Sequence, residues 1–337
     1  MLGVATGISS LTAFLITWVL GFIIIPFLLK LKTGQTILDI GPKWHKSKQG
    51  TPTMGGIMMI IGVTIAVIIA VIIFNIIYPG ILSGETDILK VRLWGGLLLA
   101  LSCGLIGFID DYLKVVKKQN AGLLPKQKLL LQFAVGVAYA LGLYFAGDTK
   151  MYIPFLGNID FGILYIPLIV FFVVGFTNAV NLTDGLDGLA SSVTFFAAIA
   201  LMVCAGVLNI LGITILGGAV AGACLGFLIW NFYPAKVFMG DTGSLFLGGA
   251  FCALAFGTGM PILLFPMGIM YIIEASSVIL QVLYFKLTHG KRLFKMSPIH
   301  HHFEMKGASE MKIVILFSLI TAICSGIAIF LVCKSAV

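Results

Sequence analysis

The chain predicts an all-α integral membrane protein of ten transmembrane helices, with both termini extracytoplasmic and an active-site cleft facing the cytoplasm. Three observations predict it. Of 337 residues, 60% are hydrophobic and only 10% charged, and the mean hydropathy is +1.12, a composition of polytopic membrane proteins. The charges leave long gaps, several of them near the roughly 20 residues that a helix needs to cross hydrocarbon. The basic residues also gather in alternate loops, which sets orientation.

Residues 1–29 carry no charge and form the first span; 49–84, 93–109, 129–147 and 161–183 supply the next four. The uncharged stretch 188–235 holds two spans around a turn at Asn209–Gly212. Residues 242–273 are again uncharged and Pro261 divides them into two, while 313–333 makes the tenth. The first segment lacks a basic leader and a small-residue cleavage site, so it is expected to stay as a helix. With ten spans the odd loops share one side, and they carry seventeen of the 21 Lys and Arg residues; only Lys90, Arg92, Lys150 and Lys334 fall on the other. The odd loops are therefore expected to be cytoplasmic.

The even loops are chemically poor, apart from a short outer hairpin expected around Gly157-Asn158. With no repeat, low-complexity tract or soluble appendage, residues 1–337 read as a single polytopic membrane domain. The six cysteines sit singly in apolar segments with no C-x-x-C pair, which suits buried, inert thiols.

The odd loops hold the unusual residues. Asp110 and Asp111 close an apolar run in Gly-Phe-Ile-Asp-Asp-Tyr-Leu-Lys. Adjacent carboxylates near hydrocarbon either share a proton or see a cation, and Mg²⁺ is the ion that bridges carboxylates to phosphates; solvation at a helix end beside Lys114 is the simpler alternative. Asn178, Asn181, Asp184 and Asp187 recur every third residue. On a helix each such step drifts by about 60°, so they sweep roughly half the circumference, more than one capping residue explains. Gly240-Asp241-Thr242-Gly243-Ser244 opens a long apolar segment whose first amides suit an anion, and Asp241 would there be a metal ligand.

His300, His301 and His302 are consecutive. Adjacent helical residues point about 100° apart, so the three do not converge readily on zinc, and hydrogen bonding to an anion or sugar phosphate is the better reading. The basic stretch 286–297, interleaved with Leu287, Leu293, Phe294 and Met296, suits a helix on an anionic leaflet. Glu274, inside an apolar segment, is either a functional acid or a hydrogen-bonded structural one.

These blocks resemble the bacterial phospho-N-acetylmuramoyl-pentapeptide transferases of the polyprenyl-phosphate N-acetylhexosamine-1-phosphate transferase superfamily. The resemblance spans the chain. Phe-Ile-Asp-Asp-Tyr at 108–112, Asn-Leu-Thr-Asp-Gly-Leu-Asp-Gly-Leu-Ala at 181–190 and Met-Gly-Asp-Thr-Gly-Ser at 239–244 look like superfamily signatures. Gly-Thr-Pro-Thr-Met-Gly-Gly at 50–56 and Pro-Ile-His-His-His-Phe-Glu at 298–304 look specific to the muramoyl-pentapeptide branch.

The resemblance implies transfer of phospho-N-acetylmuramoyl-pentapeptide from its UDP donor to undecaprenyl phosphate, giving lipid I and UMP for peptidoglycan synthesis at the bacterial cytoplasmic membrane. It implies Mg²⁺ as cofactor, a homodimer, membrane lipid as surroundings and no nucleic-acid partner. By motif position Asp241 would bind the metal and, with Asp110, Asp111 and His300, do the chemistry. Asn181, Asp184, Asp187, Asn231 and Phe238 would surround the nucleotide, Phe238 stacking on uracil. Lys48, Thr53, Lys114, Lys118 and Lys126 would draw the phosphates, and His301 and His302 would meet the substrate's polar groups. Direct attack by the lipid phosphate, with Asp110 assisting deprotonation, is the expected route; double displacement through an aspartyl phosphate is the other. The rival classes are a sister UDP-N-acetylglucosamine transferase and an ion-coupled transporter, which would place its acids near mid-membrane.

Overall fold

The computed structural model describes residues 2–31, 48–79, 86–117 and 122–335. Ten long helices run through them: α1 (Leu2–Lys30), α2 (Gly56–Ile77), α3 (Gly96–Lys117), α4 (Pro125–Phe145), α5 (Tyr165–Thr183), α6 (Leu189–Val207), α7 (Leu211–Asn231), α8 (Gly240–Gly257), α9 (Ile269–Leu287) and α10 (Glu310–Ser335). A helical turn (Asp87–Lys90) and a π-helical turn (Val91–Gly95) lead into α3. Among the described residues nine helices are long and apolar enough to cross a membrane. The sequence predicts ten spans; α8, where the eighth is expected, falls outside those nine. Its first turn carries Asp241, Thr242 and Ser244, which dilute its apolar content, yet everything from Thr242 to Gly257 is buried.

Burial is arranged inside out. In α7, 83% of the most apolar window is buried, against 22% in α1 and α9, so α7 and α8 form the interior. Leu11, Phe22, Ile23 and Phe27 of α1 are exposed, as expected where hydrocarbon is the solvent and only closed backbone hydrogen bonding is tolerated. With no hydrophobic force between helices in lipid, close backbone approach must hold the bundle. The stripe Gly218, Gly222 and Gly226 on α7 provides it: a Cβ at Gly222 would strike the Ser10 carbonyl, and one at Gly226 the Phe14 carbonyl at 2.6 Å.

The turn between α6 and α7 falls where the sequence puts it, with Asn209 in the left-handed region. The outer hairpin is present as β1 (Lys150–Ile153) antiparallel to β2 (Gly157–Asp160), Met151 facing Ile159. Pro261 opens a 3-10 turn (Pro261–Leu263), and a short helix (Leu264–Met267) precedes α9. The basic stretch after α9 is not the surface helix expected: residues 288–298 are turns, bends and irregular chain, and helix resumes only at Ile299–Glu304.

At one end of the bundle Arg92 clamps Asp148 with two hydrogen bonds, Nε to Oδ2 at 2.6 Å and Nη2 to Oδ1 at 2.8 Å. The chain from Arg92 to Asp110 is helical throughout, so at 1.5 Å per residue the two lie roughly 27 Å apart. The aspartate pair therefore belongs to the opposite end.

Candidate active site

At that opposite end α3 meets the start of α8. Gly107 makes the contact possible, since a Cβ there would run into the Asp241 carbonyl. One turn on, Asp111 caps α8. Its Oδ2 accepts the Thr242 amide at 2.9 Å and the Thr242 hydroxyl at 2.7 Å, and its Oδ1 accepts the Asp241 amide at 3.3 Å. Helix N-termini leave such amides unsatisfied and favour negative charge. That explains how a carboxylate only 3% exposed is held.

Asp110 is committed differently. One oxygen accepts the Leu123 amide at 2.7 Å, and the other meets the Lys114 ammonium at 2.6 Å. Asp241 receives two ammoniums on Oδ2, Lys114 at 2.9 Å and Lys128 at 2.8 Å. Its Oδ1 accepts the Asn181 amide at 2.8 Å, and Asn181 also reaches the Ser244 hydroxyl at 2.8 Å. Asp110, Asp111 and Asp241 each present an oxygen within 4.8 Å of the others'. Lys114 lies between all three, 3.8 Å from Asp111.

Three carboxylates thus face two ammoniums, an excess of one negative charge. The donor set is all oxygen and hard, and a lysine ammonium already occupies a cation's place among the acids. These residues fit a divalent ion of the Mg²⁺ type.

Asn181 lies in the last turn of α5, and the loop 184–188 leaves that helix toward this cluster. Asp184 follows the last residue of α5. Burial first, and then the charges of Asp241, Asp111 and Asp187, push its carboxyl up to about 8. Asp187 is tied elsewhere: Oδ1 to Lys48 at 2.7 Å and Oδ2 to the Ala235 amide at 2.9 Å. Lys48 also meets Glu310 at the start of α10, at 2.6 Å. Asn231 is a brace, accepting from the Gly188 amide at 3.1 Å and donating to the Val237 carbonyl at 2.9 Å. Phe238 pairs by its backbone with Pro52 and Gly55, both at 2.8 Å, and Thr53 packs against Gly240.

The three histidines turn to three different partners. His300 Nδ1 lies 3.0 Å from Glu274 Oε1, His301 Nδ1 lies 2.6 Å from Glu304 Oε2, and His302 Nδ1 accepts the Lys295 amide at 3.0 Å. Lys126 is exposed, whereas Lys128, two residues on, points into the acids. Lys118 lies outside the described residues.

Sequence reasoning missed Lys128 and Glu310 as parts of this region, and it placed Thr242 and Ser244 in the Gly240–Ser244 block without giving either a partner. For Lys128 a signal existed: Lys126 and Lys128 lie about 200° apart on a helix starting at Pro125, so only one can face the acids. Nothing local marks Glu310, which reaches Lys48 across 262 positions of chain.

Residues 93–259 match the family described as glycosyl transferase family 4. The phospho-N-acetylmuramoyl-pentapeptide-transferase of Halalkalibacterium halodurans is 45% identical over 326 residues, 96% of each chain. The protein of that name from Clostridium perfringens strain 13 is 47% identical over 94% of this chain and 95% of its own. The one from Listeria innocua is 47% identical over 90% and 91%.

Proposed function

The chain belongs to the phospho-N-acetylmuramoyl-pentapeptide-transferase family, and on that premise we propose how its acid–lysine end works. It transfers phospho-N-acetylmuramoyl-pentapeptide from UDP to undecaprenyl phosphate in the bacterial membrane, yielding lipid I and UMP for peptidoglycan. The observation that carries the mechanistic reading is the packing of Asp110, Asp111 and Asp241 around Lys114 and Lys128 at one end of the helix bundle. Phosphoryl transfer asks mainly for positioning and charge neutralisation, and both are built into this cluster.

The hydrogen bonds divide the labour. Asp111 spends its oxygens on the α8 amides and holds the α3–α8 junction. Among the described residues Asp110 Oδ2 meets no backbone amide, only the Lys114 ammonium at 2.6 Å and the neighbouring Asp241 carboxyl, so it is the group suited to take the proton of the lipid phosphate. Lys114 and Lys128 leave Asp241 for the donor's diphosphate when it enters, and Asn181 holds Asp241 in place as they go. Asp241 would hold Mg²⁺, which when bound supplies charge neutralisation at the diphosphate. Asp184, Asp187, Asn231, Phe238, Lys48 and Thr53 line the nucleotide side, with Lys118 and Lys126 drawing phosphate inward and His300, His301 and His302 meeting the sugar–peptide portion.

In this reading α8 completes the ten spans, both termini are extracytoplasmic, the acid cluster faces the cytoplasm and the chain works as a homodimer. The lysine bias of the loops supports the orientation. The lipid phosphate attacks the donor's β-phosphorus directly, and UMP leaves. Two measurements test this. Purified protein supplied with undecaprenyl phosphate, Mg²⁺ and either UDP-N-acetylmuramoyl-pentapeptide or UDP-N-acetylglucosamine should release UMP only with the former; release with the latter alone would move the chain to the sister class. Stereochemistry at the transferred phosphorus should invert, and net retention would sink the direct route.

A further inference from the structure

Glu274 sits within α9 with no solvent exposure, and His300, on the short helix after the basic stretch, is equally buried. Glu274 Oε1 and His300 Nδ1 are 3.0 Å apart. His300 Nε2 has no hydrogen-bond partner among the described residues. That nitrogen points at Gly185, where a Cβ would collide with it, and Gly185 directly follows Asp184 of the acidic loop. A buried ring nitrogen without a partner is costly unless a ligand satisfies it.

Building on the transfer reading above, we propose that Glu274 is a positioning residue: it accepts the His300 Nδ1 proton, so that Nε2 is the nitrogen left to exchange a hydrogen bond or proton with the bound substrate at the Asp184–Gly185 turn. Two observations carry this independently of family. A carboxylate in an apolar helix is retained only with a partner, and its partner here is one imidazole. A histidine's tautomer is set by the hydrogen bond at its other nitrogen, and the Gly185 gap is what admits the free one.

The test uses the full chain in lipid nanodiscs. Nitrogen NMR of histidine-labelled protein should show His300 protonated on Nδ1, and that signature should vanish in Glu274→Leu. With UDP-N-acetylmuramoyl-pentapeptide and undecaprenyl phosphate, Glu274→Leu should lower kcat roughly 100-fold, the scale of one proton-transfer group. Glu274→Gln, which still accepts from Nδ1, should recover part of that loss and serves if the leucine variant fails to fold. In a His300→Ala background the Glu274 substitutions should cost no more than about twofold, since a residue acting through another loses its effect when that other is gone. Gly185→Ala, which drives the ring off, should copy the kcat loss.

A wild-type His300 protonated on Nε2 alone would overturn the proposal. So would kcat unchanged in both Glu274 variants, or an equal loss with and without His300, the mark of a merely structural acid. If the wild-type chain itself released no UMP, the transfer reading would fall, and the NMR tautomer would still decide the role of Glu274.

Discussion

The two ends of the bundle treat buried charge in opposite ways. At one end a single guanidinium meets a single carboxylate: Arg92 grips Asp148 through two hydrogen bonds and donates a third, at 3.4 Å, to the Gly257 carbonyl. The charges balance and the bidentate geometry closes the pair. At the other end three carboxylates crowd two lysines, and one ammonium is shared among all three acids. A closed pair is suited to holding helices together. An open cluster with surplus negative charge and flexible lysine counter-ions is suited to exchanging those lysines for a cation and a phosphate.

The sharpest way to break this contrast is to remove charge at each end and measure activity and stability separately. Asp241→Asn should lower UMP release by about 10³-fold or more, the scale of a lost charge-stabilising group, while the variant still folds. Arg92→Leu should do the reverse: it strands Asp148 and should cost about 3–5 kcal/mol of stability, with kcat per folded molecule nearly unchanged. Melting in nanodiscs alongside turnover separates the two, and a large kcat loss in folded Arg92→Leu would collapse the distinction between the ends.

Within the open cluster, Lys128→Ala should reduce kcat/KM roughly 100-fold, the equivalent of about 2.7 kcal/mol. Lys126→Ala, on the exposed side of the same helix turn, removes only a solvent-screened attraction for phosphate and should cost less, about three- to tenfold. Equal losses would mean that lysine charge matters and its placement on Asp241 does not.

The smallest effect concerns Asp184, whose carboxyl is pushed up to about 8. Its folded-state value lies above the unfolded one. The folded chain therefore keeps a proton that the unfolded chain gives up, and stability is lost as pH rises from about 4 toward 8. Asp184→Asn, which mimics the protonated form, should flatten that slope. Thermal melts of the metal-free protein at pH 5 and pH 8.5 check this, and equal slopes in both proteins would reject it.

Much of this was legible in the sequence, and the limits have physical causes. Uncharged runs found the helices because lipid leaves the backbone no alternative to closed hydrogen bonding. The turn at Asn209, the hairpin at Gly157 and the break at Pro261 were readable because each is local chemistry. Asp110, Asp111 and Asp241 stood out because a carboxylate near hydrocarbon needs a reason. The partnerships were not readable. That Asp111 caps α8, that Glu310 ties Lys48 and Asp187, and that Glu274 reaches His300 are facts of tertiary packing between distant positions. The surface helix expected over 286–297 failed for the opposite reason: its amphipathic composition suited one, yet the Phe294 amide is taken by Gln281 on α9 at 2.8 Å, which folds that stretch back on the bundle.

The most direct test of the acid–lysine cluster as the transfer centre follows the phosphorus itself. UDP-N-acetylmuramoyl-pentapeptide labelled with ³²P at the β-position, given to purified protein with undecaprenyl phosphate and Mg²⁺, should pass its label into the lipid phase as one UMP appears per label transferred. EDTA, or Asp241→Asn, should stop it. Label that stays with the nucleotide in the wild type, or transfer that persists undiminished in Asp241→Asn, would contradict the account.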